Sequence, residues 1–282
     1  MNRKGTKLCS LLLAALLALS SAGLTSCTRD KTEEKKEETK EEERTETVQV
    51  SAPKTAVPAE GVGRIIPEVV ISKNRLICID PGHGFIDGGT GDGIAELNGL
   101  LEKDINLAIA TMLDEDLKKM GYQTIMTHNG VDTPPGDLDG NGIFSAETGE
   151  RTVYINSLSG VDYVVSIHVN ATGNNAACGM QIHYEQSWCK VNDWSEPIAE
   201  KIADRLYDEV PDVGRPAMWG NDADYSLILT RETAAAASLI EVGFCTNVTD
   251  AQNMIKPEWQ ALVAQAIANG IDDFFVELDG EG

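Results

Sequence analysis

The sequence predicts an α/β fold, a single domain over residues 73–282 with a mostly buried central mixed sheet flanked by helices on both faces. Two observations predict it. Short apolar runs of strand length alternate with longer segments of helical periodicity, and most of those runs are continuously apolar, which is typical of strands covered on both faces. The predicted strands are Arg75–Asp80, Tyr122–Thr127, Tyr163–His168, Met180–Tyr184, Ser226–Thr230 and Ser238–Val242. The predicted helices are Leu100–Met120, Gly149–Leu158, Ser195–Val210 and Pro257–Val276.

Residues 1–27 have the features of an export signal. A basic start precedes the apolar run Leu8–Leu19, which is shorter than the ~20 residues that a membrane-spanning helix needs. The run leads to Leu24–Cys27, which resembles the lipobox of bacterial lipoproteins, so we expect Cys27 to be lipidated and to anchor the protein to the outer face of a bacterial membrane. The alternative is an ordinary cleaved signal with an incidental cysteine.

Residues 28–72 are predicted to be a disordered, charged linker, because they contain too few apolar side chains to form a core. Acidic and basic residues balance over residues 1–72, so the net charge of −22 falls on residues 73–282. That charge argues against nucleic acid as a partner.

Four cysteines follow the linker. Export permits disulfides, and Cys178 with Cys189 could close a short loop. Cys78 and Cys245 lie in apolar surroundings and are expected to be small core residues.

The first predicted strand runs into a Pro-Gly turn that presents His83 between Gly82 and Gly84. Glycines on both sides allow a sharp bend and keep bulk away from the imidazole. The next predicted helix, with Asn98 as its expected N-cap, places Glu102 on the same face as Ile105. A carboxylate on an inward face needs a cation or donors, unless it is a partly solvated residue of the first turn.

Two later strands also carry unexpected polar residues. Ser166, His168 and Asn170 alternate onto one side of an otherwise apolar strand, although a satisfied buried histidine remains an alternative. Glu241 interrupts a strand that is expected to be central and fully buried, and it has no basic neighbour in sequence. Two histidines and two glutamates are the residue types of a catalytic zinc site with a separate general base, and the residues alone do not say which acid does which.

These motifs resemble the zinc-dependent N-acetylmuramoyl-L-alanine amidase family, in its type 3 catalytic domain, over residues 75–278. The matching segments, in the family's order, are Ile79–Gly84, Leu100–Leu107, Glu150–Arg151 with Asn156, Ser166–Ala171 and Ile240–Phe244. The resemblance implies that His83, Glu102 and His168 bind one zinc ion and that Glu241 is the catalytic carboxylate. The implied reaction is hydrolysis of the amide between N-acetylmuramic acid and the L-alanine of the peptidoglycan stem peptide.

Asp80 and Asn170 also match motif positions, and we hypothesise that they lie behind the ligands, for example by fixing a ligand imidazole. His128 and His183, which match no motif, are expected at the surface or at the rim of the site.

The chain departs from the family pattern in two places. Ala236 replaces a proline five residues before Glu241, and the loop 129–149 is enlarged. Within that loop Asp137, Asp139 and Asn141 resemble the start of a calcium-binding loop, but Thr148 stands where the bidentate acid belongs, so a polar surface turn is the favoured interpretation.

Two other functions remain alternatives. The protein could be a catalytically silent amidase-like lipoprotein that binds cell-wall peptides, or a related zinc peptidase that cleaves within the stem peptide. The expected partners are peptidoglycan and, through the lipid, a membrane, while the sequence does not indicate whether a protein activator is needed.

Overall fold

A computed structural model describes residues 73–132, 134–137, 140–141, 149–187, 189–220 and 227–280. The expected signal segment, Cys27 and the linker 28–72 lie outside the described residues, as does Asp139. No helix in these ranges combines the length and the apolar character that a membrane crossing needs.

A six-stranded sheet forms the centre of the domain, with strand order β2-β1-β3-β6-β4-β5. The strands are β1 (Leu76–Pro81), β2 (Gln123–Met126), β3 (Val161–Asn170), β4 (Gln181–Tyr184), β5 (Ala217–Gly220) and β6 (Ala236–Phe244). β4 pairs antiparallel with β6, and all other neighbours are parallel. The predicted mixed sheet is therefore confirmed.

Helices cover both faces of this sheet, as predicted. They are α1 (Glu102–Lys119), α2 (Glu150–Ser157), α3 (Ser195–Glu209), α4 (Ile228–Glu232), α5 (Val248–Met254) and α6 (Pro257–Gly280), with a 3-10 turn at Ala95–Leu97. The larger apolar cluster packs one sheet face against α1, α3 and α6. The smaller cluster joins Cys78, Val164 and Ala237 on the other face to Ile155 of α2 and Leu229 of α4.

Two local predictions are wrong. Residues 228–230 of the segment predicted as the strand Ser226–Thr230 belong to α4, because a short apolar run does not distinguish a buried helical turn from a strand. Ser226 lies outside the described residues. The strand next to β4, at that edge of the sheet, is instead β5, which was not predicted. Asn98 does not cap α1 but ends the 3-10 turn in the left-handed conformation, and α1 begins at Glu102, where the Leu101 N–H donates to the Asp104 carboxylate at 2.9 Å.

The sequence allowed a disulfide between Cys178 and Cys189 without predicting one. Cys178 and Cys189 do not form a disulfide, and the Cys189 thiol donates instead to the carbonyl of Arg231 at 3.0 Å. Cys78 and Cys245 are buried, as expected.

Helices α3 and α6 pack closely because Gly270 has no side chain. A Cβ atom at this position would lie 2.6 Å from the Cα atom of Ile202 and 2.7 Å from its amide nitrogen. Both contacts are with backbone, so they cannot be relieved by a change of rotamer. Gly270 therefore sets the distance between the two helices.

We predict that Gly270→Ala lowers the free energy of unfolding by about 1–3 kcal/mol, although alanine favours helix over glycine. Gly280→Ala is the matched control, since it lies in the same helix and its added Cβ atom meets nothing within 4 Å. Urea denaturation of both variants checks this, and equal stability of the two variants would contradict the close-packing account.

Candidate metal and catalytic site

The candidate site lies at the carboxyl ends of the neighbouring parallel strands β1, β3 and β6. His83 follows β1, His168 lies near the end of β3, and Glu241 lies on β6 as the register partner of His168. Glu102, the first residue of α1, reaches the same edge. Carboxyl ends of adjacent parallel strands meet at one edge of a sheet, which is why residues far apart in sequence converge here.

Ligand atoms of His83, Glu102 and His168 all lie within 4.8 Å of one another. Nε2 of His83 is 3.3 Å from Oε1 of Glu102, and Nδ1 of His168 is 3.1 Å from the same oxygen. Two imidazoles thus approach one carboxylate oxygen from different directions, since the two rings are inclined at 73°. This group could hold a metal ion.

The Glu102 carboxylate is buried and held in place by backbone donors. Its side chain is 2% exposed, Oε1 accepts the N–H of Val169 at 2.9 Å and Oε2 accepts the N–H of Thr90 at 2.8 Å. Burial alone raises the pKa of Glu102, but the hydrogen bonds and positive charges of His168 and His83 hold that pKa well below its usual range. The carboxylate is therefore a fixed negative charge that faces two imidazoles.

Asp87 orients the imidazole of His83. Its Oδ2 lies 2.8 Å from Nδ1 of His83, and its Oδ1 accepts the N–H of Gly89 at 3.1 Å. With Nδ1 engaged by a carboxylate, Nε2 is the atom directed at Glu102. Burial lowers the pKa of His83, but Glu102 and Asp87 outweigh it and raise the pKa to about 9.

His83 also has an unusual backbone conformation, with φ at 62° in the left-handed region. This conformation costs a non-glycine residue about 1–2 kcal/mol. Strain of this kind persists only where the surroundings fix it.

Asp80 and Arg151 form a buried ion pair, and this pair fixes the loop that carries His83. Nη1 of Arg151 lies 2.6 Å from Oδ1 of Asp80, and Arg151 also donates to the carbonyls of Pro81 and His83. Asp80 further accepts hydrogen bonds from Thr127 and Ser166 at 2.6 and 2.7 Å. Burial raises the pKa of Asp80, but the charge of Arg151 and the two hydroxyl donors lower it overall.

Neither Asp80 nor Asn170 makes a hydrogen bond to a ligand imidazole among the described contacts, and their role behind the ligands stays a hypothesis. Asp80 acts on the loop backbone through Arg151, and Asn170 donates to Oε1 of Gln181 at 2.9 Å. The contact with a ligand imidazole comes from Asp87. Sequence reasoning missed this residue because a single aspartate four positions after a loop histidine is not a distinctive signal.

Glu241 lies beside the three candidate ligands without belonging to their group. Its Oε2 is buried and has no hydrogen-bond partner among the described residues. Burial raises the pKa of Glu241 to about 7; the positive charges of His168 and His83 oppose this, and the negative charge of Glu102 adds to it. A buried carboxyl group with a pKa near neutrality can both accept and return a proton.

The glycines on either side of His83 make room for two other imidazoles. A Cβ atom on Gly82 would lie 2.4 Å from the ring of His168, and one on Gly84 would lie 2.9 Å from that of His128. His128 and His183 are buried rather than at the surface, at 6% and 4% exposed. His128 lies behind the loop, with Nε2 2.8 Å from the carbonyl oxygen of Pro81.

The described part of the loop 129–149 does not support calcium binding. Oδ1 of Asp137 accepts the backbone N–H groups of Gly140 and Asn141 at 2.9 and 3.2 Å, as in an Asx turn. This is the surface turn that the sequence favoured.

Known proteins with similar sequences and structures share this fold and belong to one enzyme family. Residues 77–273 match the model of the amidase type 3 family, described as N-acetylmuramoyl-L-alanine amidase. The germination-specific N-acetylmuramoyl-L-alanine amidase of Bacillus subtilis is 31% identical over 204 residues, which cover 72% of this chain and 81% of that protein. The amidase LytC of the same organism is 29% identical over 71% of this chain and 36% of its own length.

Two solved structures resemble the domain throughout. An N-acetylmuramoyl-L-alanine amidase of Clostridium difficile 630 has a TM-score of 0.58 at 28% identity, over 74% of this chain and 98% of that one. The CwlD amidase of Clostridioides difficile, in complex with the GerS lipoprotein, has a TM-score of 0.59 at 25% identity, over 72% of this chain and all of that one. Since the family model covers well over half of the chain, the resemblance seen in the sequence is confirmed, and the chain belongs to the N-acetylmuramoyl-L-alanine amidase family.

Proposed function

We propose that this protein hydrolyses the amide between N-acetylmuramic acid and L-alanine in peptidoglycan, with one zinc ion bound by His83, Glu102 and His168 and with Glu241 as general base. The observation that carries this proposal is the convergence of two imidazoles on the Glu102 carboxylate. Beside them lies the buried Oε2 of Glu241, which has no hydrogen-bond partner within the described ranges.

The residues present fit a zinc ion. Two histidine nitrogens and one carboxylate form a common ligand set of catalytic zinc sites, which leave a further position open for water or substrate. The buried negative charge of Glu102 faces two imidazoles and contributes to raising the pKa of His83, so we expect a divalent cation to displace a proton when it binds at this site. Members of the family typically depend on zinc.

When bound, the zinc ion would supply Lewis-acid polarisation of the amide carbonyl and would lower the pKa of water. The protein's own residues would transfer the proton and hold the ligands in position. Glu241 accepts the proton of the attacking water at its carboxylate and donates it to the amine of L-alanine as the carbon–nitrogen bond breaks. Asp87 holds His83 in orientation, and Arg151 holds the loop behind it.

We propose that the protein acts outside the cytoplasm, tethered by lipidated Cys27. The linker 28–72 would let the domain search a layer of roughly 35–40 Å above the membrane. Relatives named as cell wall amidases support this location. The CwlD amidase was solved in complex with a separate lipoprotein, whereas here the lipobox-like sequence belongs to the amidase chain itself.

A silent binding protein is the weaker alternative, because all three candidate ligands and the candidate base are present and converge. A zinc peptidase acting within the stem peptide would use the same residues. The product separates the two enzymes, since only an amidase releases a peptide that begins with L-alanine.

The first prediction for the site concerns Glu241. Glu241→Gln should lower kcat on purified peptidoglycan by about 10²–10⁴-fold, because the amide cannot accept a proton, while the zinc content stays at that of the unaltered protein. Glu102→Gln is the contrasting variant and should lose the metal. Mass spectrometry of released peptides and elemental analysis measure both, and a Glu241→Gln variant that keeps full turnover would contradict the mechanism.

The second prediction concerns Asp87. Asp87→Ala should weaken zinc binding by about 10–100-fold, because the imidazole of His83 loses the partner that orients it. Asp92→Ala, an exposed aspartate of the same loop, is the control and should bind zinc normally. Competition with a chromogenic chelator gives both affinities, and equal affinities would show that Asp87 has no such role.

The third prediction concerns pH. Burial raises the pKa of Glu241 to about 7 and a nearby cation lowers it, so the base should be protonated only on the acidic side of neutrality. We expect kcat/KM to rise as pH increases from about 5 to 7 and then to level off. A profile that falls over this interval would exclude Glu241 as the base.

A further inference from the structure

An aromatic pair lies on the same sheet face as the candidate site, beyond Glu241 towards the edge of the sheet. In the antiparallel pair of β6 and β4, Glu241 faces Gln181 and Leu239 faces His183. In the parallel pair of β4 and β5, His183 faces Trp219. Paired residues point to one face, and residues two apart along a strand share it, so Glu241, Gln181, His183 and Trp219 form one continuous surface.

Trp219 lies two strands away from Glu241 across the sheet, and it is offset by two residues along the strand direction. With strand spacings of about 4.8 Å and a rise of about 3.3 Å per residue, their Cα atoms are separated by roughly 10–12 Å. One or two sugar rings span that distance.

Trp219 covers His183 and still offers surface to a ligand. The two rings are nearly parallel, at 15°, with centroids 6.2 Å apart. His183 is 4% exposed, whereas Trp219 remains 43% exposed on an edge strand. Between this pair and Glu241, the carbonyl of Gln181 is held by Asn170, so the Nε2 group of Gln181 is the donor end of that side chain.

The surface formed by Gln181, His183 and Trp219 has no formal positive charge of its own. Burial, followed by the positive charge of His168, lowers the pKa of His183 to about 4, so the imidazole is neutral at pH 7. The domain around it carries the whole net charge of −22. Such a surface suits an uncharged ligand with apolar faces and does not suit a carboxylate.

We propose that Gln181, His183 and Trp219 form a saccharide subsite that binds the glycan strand, with an N-acetylated sugar ring packed on the indole of Trp219. This proposal rests on the proposed function and extends it, since it states which half of the substrate lies towards the β5 edge. The C–H face of a pyranose ring packs on an aromatic face, and Nε2 of Gln181 can donate to a sugar oxygen.

The charges of the two halves of the substrate indicate on which side of Glu241 each half binds. A stem peptide carries carboxylates, which an acidic domain repels unless a cation meets them, whereas the glycan backbone presents neutral rings and acetamido groups. We therefore place the glycan on the surface formed by Gln181, His183 and Trp219. The stem peptide extends from the scissile bond away from that surface.

Binding is tested on the full-length chain with a β-1,4-linked N-acetylglucosamine trimer as probe, by titration followed in NMR. The indole N–H signal that disappears in Trp219→Phe identifies Trp219. We expect this signal to shift on titration, and we expect Trp219→Ala to bind the trimer about tenfold more weakly. Trp219→Phe should retain most of the affinity.

Tyr207→Ala is the matched control, since Tyr207 is 55% exposed but lies on α3, against the opposite face of the sheet. It should bind the trimer as the unaltered protein does. An indole signal that does not move, or equal affinities of Trp219→Ala and Tyr207→Ala, would overturn the proposal.

Kinetics separate this proposal from the amidase function. If the chain is an amidase, Trp219→Ala should raise KM for glycan-linked peptidoglycan about tenfold with kcat little changed, and an unchanged KM would overturn the subsite. If the zinc-loaded chain releases no stem peptide while the trimer still binds at Trp219, the proposed reaction fails and the saccharide subsite stands. Tighter binding of a free stem peptide than of the trimer at Trp219 would assign the surface to the peptide instead.

Discussion

The structure depends on the buried charge of Glu102. A carboxylate that is 2% exposed is too costly to leave unpaired, and this one holds two backbone N–H groups and two imidazoles around its two oxygens. These partners come from two parts of the chain. The loop after β1 supplies His83 and the N–H of Thr90, and the end of β3 supplies His168 and the N–H of Val169. The Glu102 carboxylate therefore links the carboxyl ends of β1 and β3, which are neighbours in the sheet. Its negative charge makes this position suitable for a cation.

A buried ion pair keeps the loop that carries His83 in position beside Glu102. Asp80 and Arg151 are almost wholly enclosed, and Arg151 binds two carbonyls of the loop that carries His83. Removal of one partner of such a pair leaves an uncompensated buried charge, which typically costs about 3–5 kcal/mol. The left-handed backbone of His83 is thus fixed from behind by Arg151 and from the side by Asp87. Glu241 differs from these residues, since its buried Oε2 has no hydrogen-bond partner in the part of the chain that the structure describes.

Much of this arrangement could be predicted from the sequence. Apolar runs located five of the six strands, and acidic or imidazole side chains in apolar strands or on an inward helix face marked Glu102, His168 and Glu241 as unusual. The β5 edge and α4 were missed because both are short, and local pattern does not separate a buried turn of helix from a strand. Asp87, Arg151 and the burial of His128 and His183 depend on how loops fold back on the sheet, which periodicity does not encode.

The central claim is that His83, Glu102 and His168 bind one zinc ion beside Glu241. Anomalous diffraction from crystals of the zinc-loaded protein, recorded on both sides of the zinc absorption edge, tests it most directly. The account predicts a single strong peak at about 2.0–2.2 Å from one atom of each of these three side chains, with Glu241 outside the ligand shell. A peak bound by other residues, or a peak that takes Glu241 as a ligand in place of Glu102, would contradict it.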